Sequence, residues 1–224
     1  MLIFSIDTCG PLGSVALARL HDARLEILGQ TELPGKTYSV QLVPAIRDLL
    51  AAENAAPSGL AAIVVVSGPG SFTGIRIALA AAKGLAETHA TPILAVSRLA
   101  VLAHKAGVEA AALDASRHEF YFGAYAAESG EALLSGEAFA QKAAALAADL
   151  AVCEDSAKAV APSAVLADPP TATDALHFAL PRILARAFDD PVTLDGNYLR
   201  RSDAEIFAKP TSRPATSASP KTQP

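Results

Sequence analysis

The chain has 224 residues, is 51% hydrophobic and carries a net charge of -5, so it has apolar surface for a sizeable core in one domain or two small lobes. The acidic balance argues against a surface devoted to nucleic acid, which needs clustered Lys and Arg to displace counterions. No window reaches the roughly 18 to 20 apolar residues of a membrane span, and the opening MLIFSIDTCG lacks a basic n-region; a cytoplasmic chain without a membrane segment is expected.

In chain order, LIFSID (2–7), GSVALARL (13–20) and ARLEILGQTEL (23–33) read as three strands joined by short turns, a meander. TYSVQLVPAIRDLLAA (37–52) is helical in period, with Leu42, Ile46, Leu49 and Leu50 on one side and Pro44 tolerable only near the first turn. LAAIVVVS (60–67) is apolar on both faces, as suits a central strand covered by helices on each side of a sheet. The glycine stretch SGPGSFTGIR (67–76) leads into a helix over 72–87, and PILAV (92–96) and SRLAVLAHKAG (97–107) add a strand and a helix. This order predicts a mixed sheet with helices on both faces.

The pattern then restarts. EAAALDA and HEFYFGAYA, within 109–126, read as two strands about a turn at Ser116 and Arg117, echoing the strand, Asp, turn, strand of the start. Residues 140–152 predict an alanine-rich helix running into a short strand, and 171–188 a late helix with Pro181 as a kink. After Phe207 there is no Val, Ile, Leu or Phe, so disorder is expected over the Pro/Ser/Thr-rich residues 208–224. The expected division is a first lobe over 1–100, a second and smaller lobe over 101–207, and the tail.

The glycine stretch fails the tests for a phosphate loop. A Walker loop needs GxxxxGK[ST], but five residues after Gly68 stands Thr73 and no Lys follows; Gly68, Gly70 and Gly74 are spaced GxGxxxG, one residue too long for the dinucleotide fingerprint. The stretch reads instead as a strand-to-helix turn with Ser71 as N-cap. On the following helix Arg76 and Lys83 share one narrow side, while apolar and small residues sweep through roughly 220°, more than the stripe that one sheet needs. The surplus fits either a helix sandwiched within its own chain or one shared with a partner's helices.

Other chemistry is sparse. The five histidines, His21, His89, His104, His118 and His177, include no pair three or four residues apart, so no helical metal site is encoded. Cys9 and Cys153 fit neither a CxxC pair nor a zinc cluster and read as small semi-buried residues. GPGSFTG lacks the second glycine of a nucleophile elbow. Asp7 and Asp114 each close a strand; they either cap their turns or hold Mg²⁺ beside a nucleotide.

GPGSFTGIRIALAAAKGLA closely resembles the signature of the TsaB (YeaZ) family of tRNA threonylcarbamoyladenosine synthesis. IFSIDTCGPLGSVAL is similar to the family's first hairpin, VSRLAVLA stands at its VSTL segment, ALDASRHEFYFGAY resembles its IDAR-x-EVY hairpin, and DGNYLRR its closing Pro/Tyr-Leu-Arg motif. The family's His-Ser or His-Thr at the start of the first helix is Tyr38-Ser39 here. The resemblance implies an actin-like, Hsp70-like ATPase (ASKHA) fold, α/β with two lobes of mixed sheets, the second reduced. It also implies a non-catalytic subunit that dimerises with TsaD, the catalytic paralogue that transfers threonylcarbamoyl to tRNA adenosine, with the ATPase TsaE joining and tRNA reached through the complex. The partner contact implied is the pair of helices 37–52 and 72–87, with Leu42, Ile46, Thr73, Gly74, Arg76, Ile77 and Ala81 near it. The chain would have no cofactor of its own, ATP or ADP belonging to the interface with the partner. A homodimer through the same helices is conceivable, and the rival reading is an independent Mg-ATP phosphotransferase using Asp7 and Asp114.

Overall fold

The computed structural model describes residues 1–126, 130–146 and 149–200. Strands β1 (Leu2–Asp7), β2 (Leu12–His21) and β3 (Arg24–Pro34) form the antiparallel meander, and β4 (Leu60–Val66) and β5 (Ile93–Val96) extend it in parallel, in the order β3-β2-β1-β4-β5. The β2–β3 turn is two residues, Asp22 and Ala23, both with positive φ. That geometry matches the twist of a hairpin. β4 is buried along nearly its whole length, as its unbroken apolar run requires.

Helices α1 (Tyr38–Ala52) and α2 (Phe72–His89) lie side by side on this sheet, α1 over β2 and β3, α2 over β4 and β1. Pro44 falls in the second turn of α1 rather than near its start, on the exposed side. α3 (Arg98–Ala106) follows β5, capped by Ser97 and closed by Gly107 at φ 69.

The second sheet repeats the plan. β6 (Ala110–Asp114), β7 (Glu119–Ala124) and β8 (Gly130–Ser135) form an antiparallel meander, and β9 (Leu150–Val152) and β10 (Val165–Leu166) add in parallel, in the order β10-β9-β6-β7-β8. Helices α4 (Gly136–Leu146) and α5 (Asp155–Val160) complete this lobe. One of its cores holds Phe120, Phe122 and Phe139; another joins Leu113 and Tyr121 to Leu99 and Leu102 of α3. The echo read in the sequence is thus a complete duplication of topology. β8, α5 and β10 were not expected, being short and half-exposed, with too few apolar residues to show a period.

α6 (Ala172–Leu184) lies within the range expected for the second lobe yet packs on β1, β2, β3 and β4 of the first sheet. It ends four residues before the expected 188. Its start is a capping box: Thr171 accepts from the Asp174 amide and Asp174 from the Thr171 amide. Residues 187–198 then run back over the first lobe, and Leu199 and Arg200 meet the second. Asp189 donates its amide to Ile93 O at 2.9 Å and accepts from Ala95 N at 2.7 Å, which covers the β5 edge. Asn197 N donates to Ser67 O at 2.7 Å, and Lys83 Nζ to Leu194 O at 2.6 Å. The expected tail, 208–224, lies outside the described residues.

Candidate functional site

The glycines of SGPGSFTGIR serve close approach between two loops. Ser71 caps α2 by accepting from Gly74 N at 3.2 Å, as expected. Its own amide donates to Cys9 O at 2.8 Å, and Thr8 Oγ1 donates to Gly74 O at 2.6 Å. A Cβ on Gly70 would lie 2.3 Å from Cys9 O, and one on Gly74 1.8 Å from Thr8 O. The β1–β2 loop therefore presses directly on the start of α2, and only glycine admits it.

That junction forms one wall of a cavity of about 850 Å³ between the lobes. Asp114 lines it and Asp7 does not. The two aspartates hold equivalent places at the ends of β1 and β6, and each accepts from the backbone amide two residues on, Asp7 from Cys9 at 2.8 Å and Asp114 from Ser116 at 2.6 Å. Asp114 also accepts from Ser156 Oγ at 2.6 Å, and Glu154 accepts from Asp114 N at 3.3 Å. Burial pushes the Glu154 carboxyl above its ordinary range.

Asp7 is buried and faces Arg98, with Oδ2 3.9 Å from Nε. Burial is the largest influence and opposes the guanidinium charge, but Asp7 together with the other acidic groups nearby, Glu154 among them, offsets it and keeps Arg98 ionised. Sequence reasoning passed over Arg98. The signal was there: it is the first residue of α3, where a cation runs against the helix dipole. Replacing Arg98 by Met should cost about 3–5 kcal/mol in urea unfolding, because Asp7 is left as a buried charge without its partner. The double variant Asp7→Asn/Arg98→Met should recover most of that loss.

The residues expected at a partner surface separate. Leu42 and Ile46 are buried against the chain's own sheet and are not available to a partner; the α1 stripe they define is the core-facing one. Gly74 is buried under Thr8. Thr73 and Arg76 are exposed, Arg76 lying 3.8 Å over the Phe72 ring, while Ile77 and Ala81 are half-buried. What α1 offers to solvent instead is Val40 and Val43, 74% and 66% exposed. On α2 the exposed residues Thr73, Arg76, Ala80, Gly84 and Glu87 are spaced three or four apart as a single stripe, and Thr88 and His89 are exposed at its end. Tyr38, where the family pattern has His, is buried and donates to Gly10 O at 2.7 Å.

Residues 31–180 match the family model for TsaD, tRNA N6-adenosine threonylcarbamoyltransferase. The chain is 38% identical over 134 residues to the tRNA threonylcarbamoyladenosine biosynthesis protein TsaB of Bacillus subtilis, covering 58% of this chain and 57% of that one. The chain spans about half the length of the curated relatives it matches. Among solved structures it resembles YeaZ from Pseudomonas aeruginosa at 30% identity and a TM-score of 0.70, covering 88% of this chain and 100% of the other. A further Pseudomonas aeruginosa structure, of an uncharacterized protein with similarity to peptidase YeaZ, aligns at 32% identity and a TM-score of 0.73 over 89% of this chain and 99% of that one. The two mixed sheets with a repeated strand order are the actin-like architecture that the glycine motif had implied, and the chain belongs to the TsaB (YeaZ) family.

Proposed function

We propose that this chain is a non-catalytic subunit of tRNA threonylcarbamoyladenosine synthesis, docking onto a TsaD-type catalytic paralogue through the exposed faces of α1 and α2. The observation that carries the reading is the pair Val40 and Val43, large apolar side chains left in solvent on α1, with Ala80 and Gly84 exposed on the neighbouring α2. Ala80 and Gly84 have too little side chain to keep a neighbouring helix away, and a Cβ on Gly84 would meet nothing in this chain. An apolar patch of this kind marks an interaction site. The names of the relatives point to the process, and the actin-like fold of the chain suits a partner of related shape. On this reading nucleotide is held by the partner or at the shared interface, and tRNA is met through the complex.

Reconstituting the tRNA modification with and without this chain tests the proposal. The rate should fall at least tenfold when the chain is omitted and return when it is added. An unchanged rate overturns the reading. Micromolar binding of Mg-ATP by the isolated chain in calorimetry would favour an independent phosphotransferase in its place.

A further inference from the structure

The cavity between the lobes contains a buried cation that the docking face does not use and that Asp7 pairs by charge alone, without a hydrogen bond. Arg98 is 4% exposed and lines the cavity. Among the described residues its guanidinium makes no hydrogen bond: Nε is buried without a partner, and the Asp7 oxygen facing it is 3.9 Å away, beyond hydrogen-bond range. An ionised donor left unsatisfied in the interior is costly, yet the surroundings hold this one in place. The Arg98 amide donates to Gly68 O at 2.6 Å, and Ser97 caps its helix. Gly10 leaves room for the guanidinium, since a Cβ there would lie 2.5 Å from Nη2.

We propose that Arg98 anchors a ligand site in this cavity and takes the carboxylate of a small molecule. The planar guanidinium offers parallel N–H groups that match a carboxylate in a bidentate pair. Thr73, at the start of the eighteen-residue helix α2, lines the same cavity; the first amides of a helix have no intrahelical acceptor and favour an anion. The ligand is a carboxylate rather than a phosphate dianion because the cations Arg98, Lys36 and Arg200 do not outnumber the carboxylates Asp114 and Glu154 on the wall and Asp7 behind Arg98, so no surplus positive charge is left for a second negative one. The volume suits a small organic molecule, whose apolar part would rest on Ile77 and Leu113. The site needs no partner chain and stands independently of the tRNA reading.

The test titrates the full chain, ¹⁵N-labelled at arginine, with sodium acetate against sodium chloride at constant ionic strength. One arginine Nε–H resonance should shift saturably with acetate and stay still with chloride; its absence from the Arg98→Lys spectrum assigns it. The melting temperature should rise by about 3–6 °C at ten times the half-saturating acetate concentration. Arg98→Lys keeps the charge but loses the fork, and its half-saturating concentration should be at least tenfold higher. Inorganic phosphate at pH 7.5 should also bind at least tenfold more weakly than acetate. Phosphate binding as tightly as acetate overturns the carboxylate assignment. Identical acetate and chloride responses in the unmodified chain overturn the site and leave only water on the guanidinium, whether or not the lysine variant folds. Neither result touches the reconstitution experiment.

Discussion

Val43→Asp is expected to abolish association with a TsaD-type subunit while leaving the free chain folded. Val43 is 66% exposed, so in the isolated chain the carboxylate stays hydrated and stability changes by less than about 0.5 kcal/mol. In a packed helix contact the same carboxylate must be dehydrated without a partner, which costs several kcal/mol or forces the helices apart. A loss of about 3–5 kcal/mol is a fall in affinity of roughly a hundred-fold or more. Co-purification and sedimentation of the mixed subunits read the association, and circular dichroism reads the fold. Leu42→Asp is the contrast. Leu42 sits one position away but points into the core, and that variant should fail to fold. Full association by a folded Val43→Asp chain would remove α1 from the interface.

The second large effect is at Gly74, where Ala should destabilise the chain by about 3 kcal/mol or more. In an ordinary helix interior the exchange is favourable by about 0.5–1 kcal/mol, because Gly loses more backbone freedom than Ala on folding. Here the added methyl would lie 1.8 Å from Thr8 O, a backbone atom, so either α2 or the β1–β2 loop must move. The movement would also break the bond from Thr8 Oγ1 to Gly74 O and open the cavity wall. Gly84→Ala, later in the same helix, meets open space and should gain the usual fraction of a kilocalorie. Opposite signs for two glycine substitutions in one helix, measured by urea unfolding, distinguish packing from propensity. Equal effects would show that the loop yields.

Much of the fold was legible in the residues. The unbroken apolar run of β4 and the β1–β2–β3 meander followed from period and turn residues, as did the restart at residue 109. The elements that were missed have a common character. β8, β10 and α5 are short and half-exposed, and their apolar residues are too few to make a pattern. The α1 reading failed differently. Leu42 and Ile46, part of its strongest stripe, are expected near a partner contact, whereas a helix lays its strongest stripe on its own sheet first. The residues left outside that stripe, Val40 and Val43, were the ones to notice. Arg98 went unremarked because a lone arginine carries no spacing; only its awkward place at a helix start hinted at a purpose.

What the sequence by itself determined was the order and type of the long elements, the doubled strand-Asp-turn-strand plan and the family, because these rest on local period, turn chemistry and a contiguous motif. It also showed that the glycine spacing fits neither the Walker loop nor the dinucleotide fingerprint, a matter of counting residues between glycines. Only the tertiary structure decided what the glycines are for, since Thr8 and Gly74 stand 66 residues apart along the chain and no local rule links them. The same holds for the return of α6 and residues 187–198 onto the first lobe, and for the division of α1 into a buried stripe and an exposed one. Burial is a property of the packed whole: the same apolar residue serves as core or as docking surface according to what the rest of the chain has already covered.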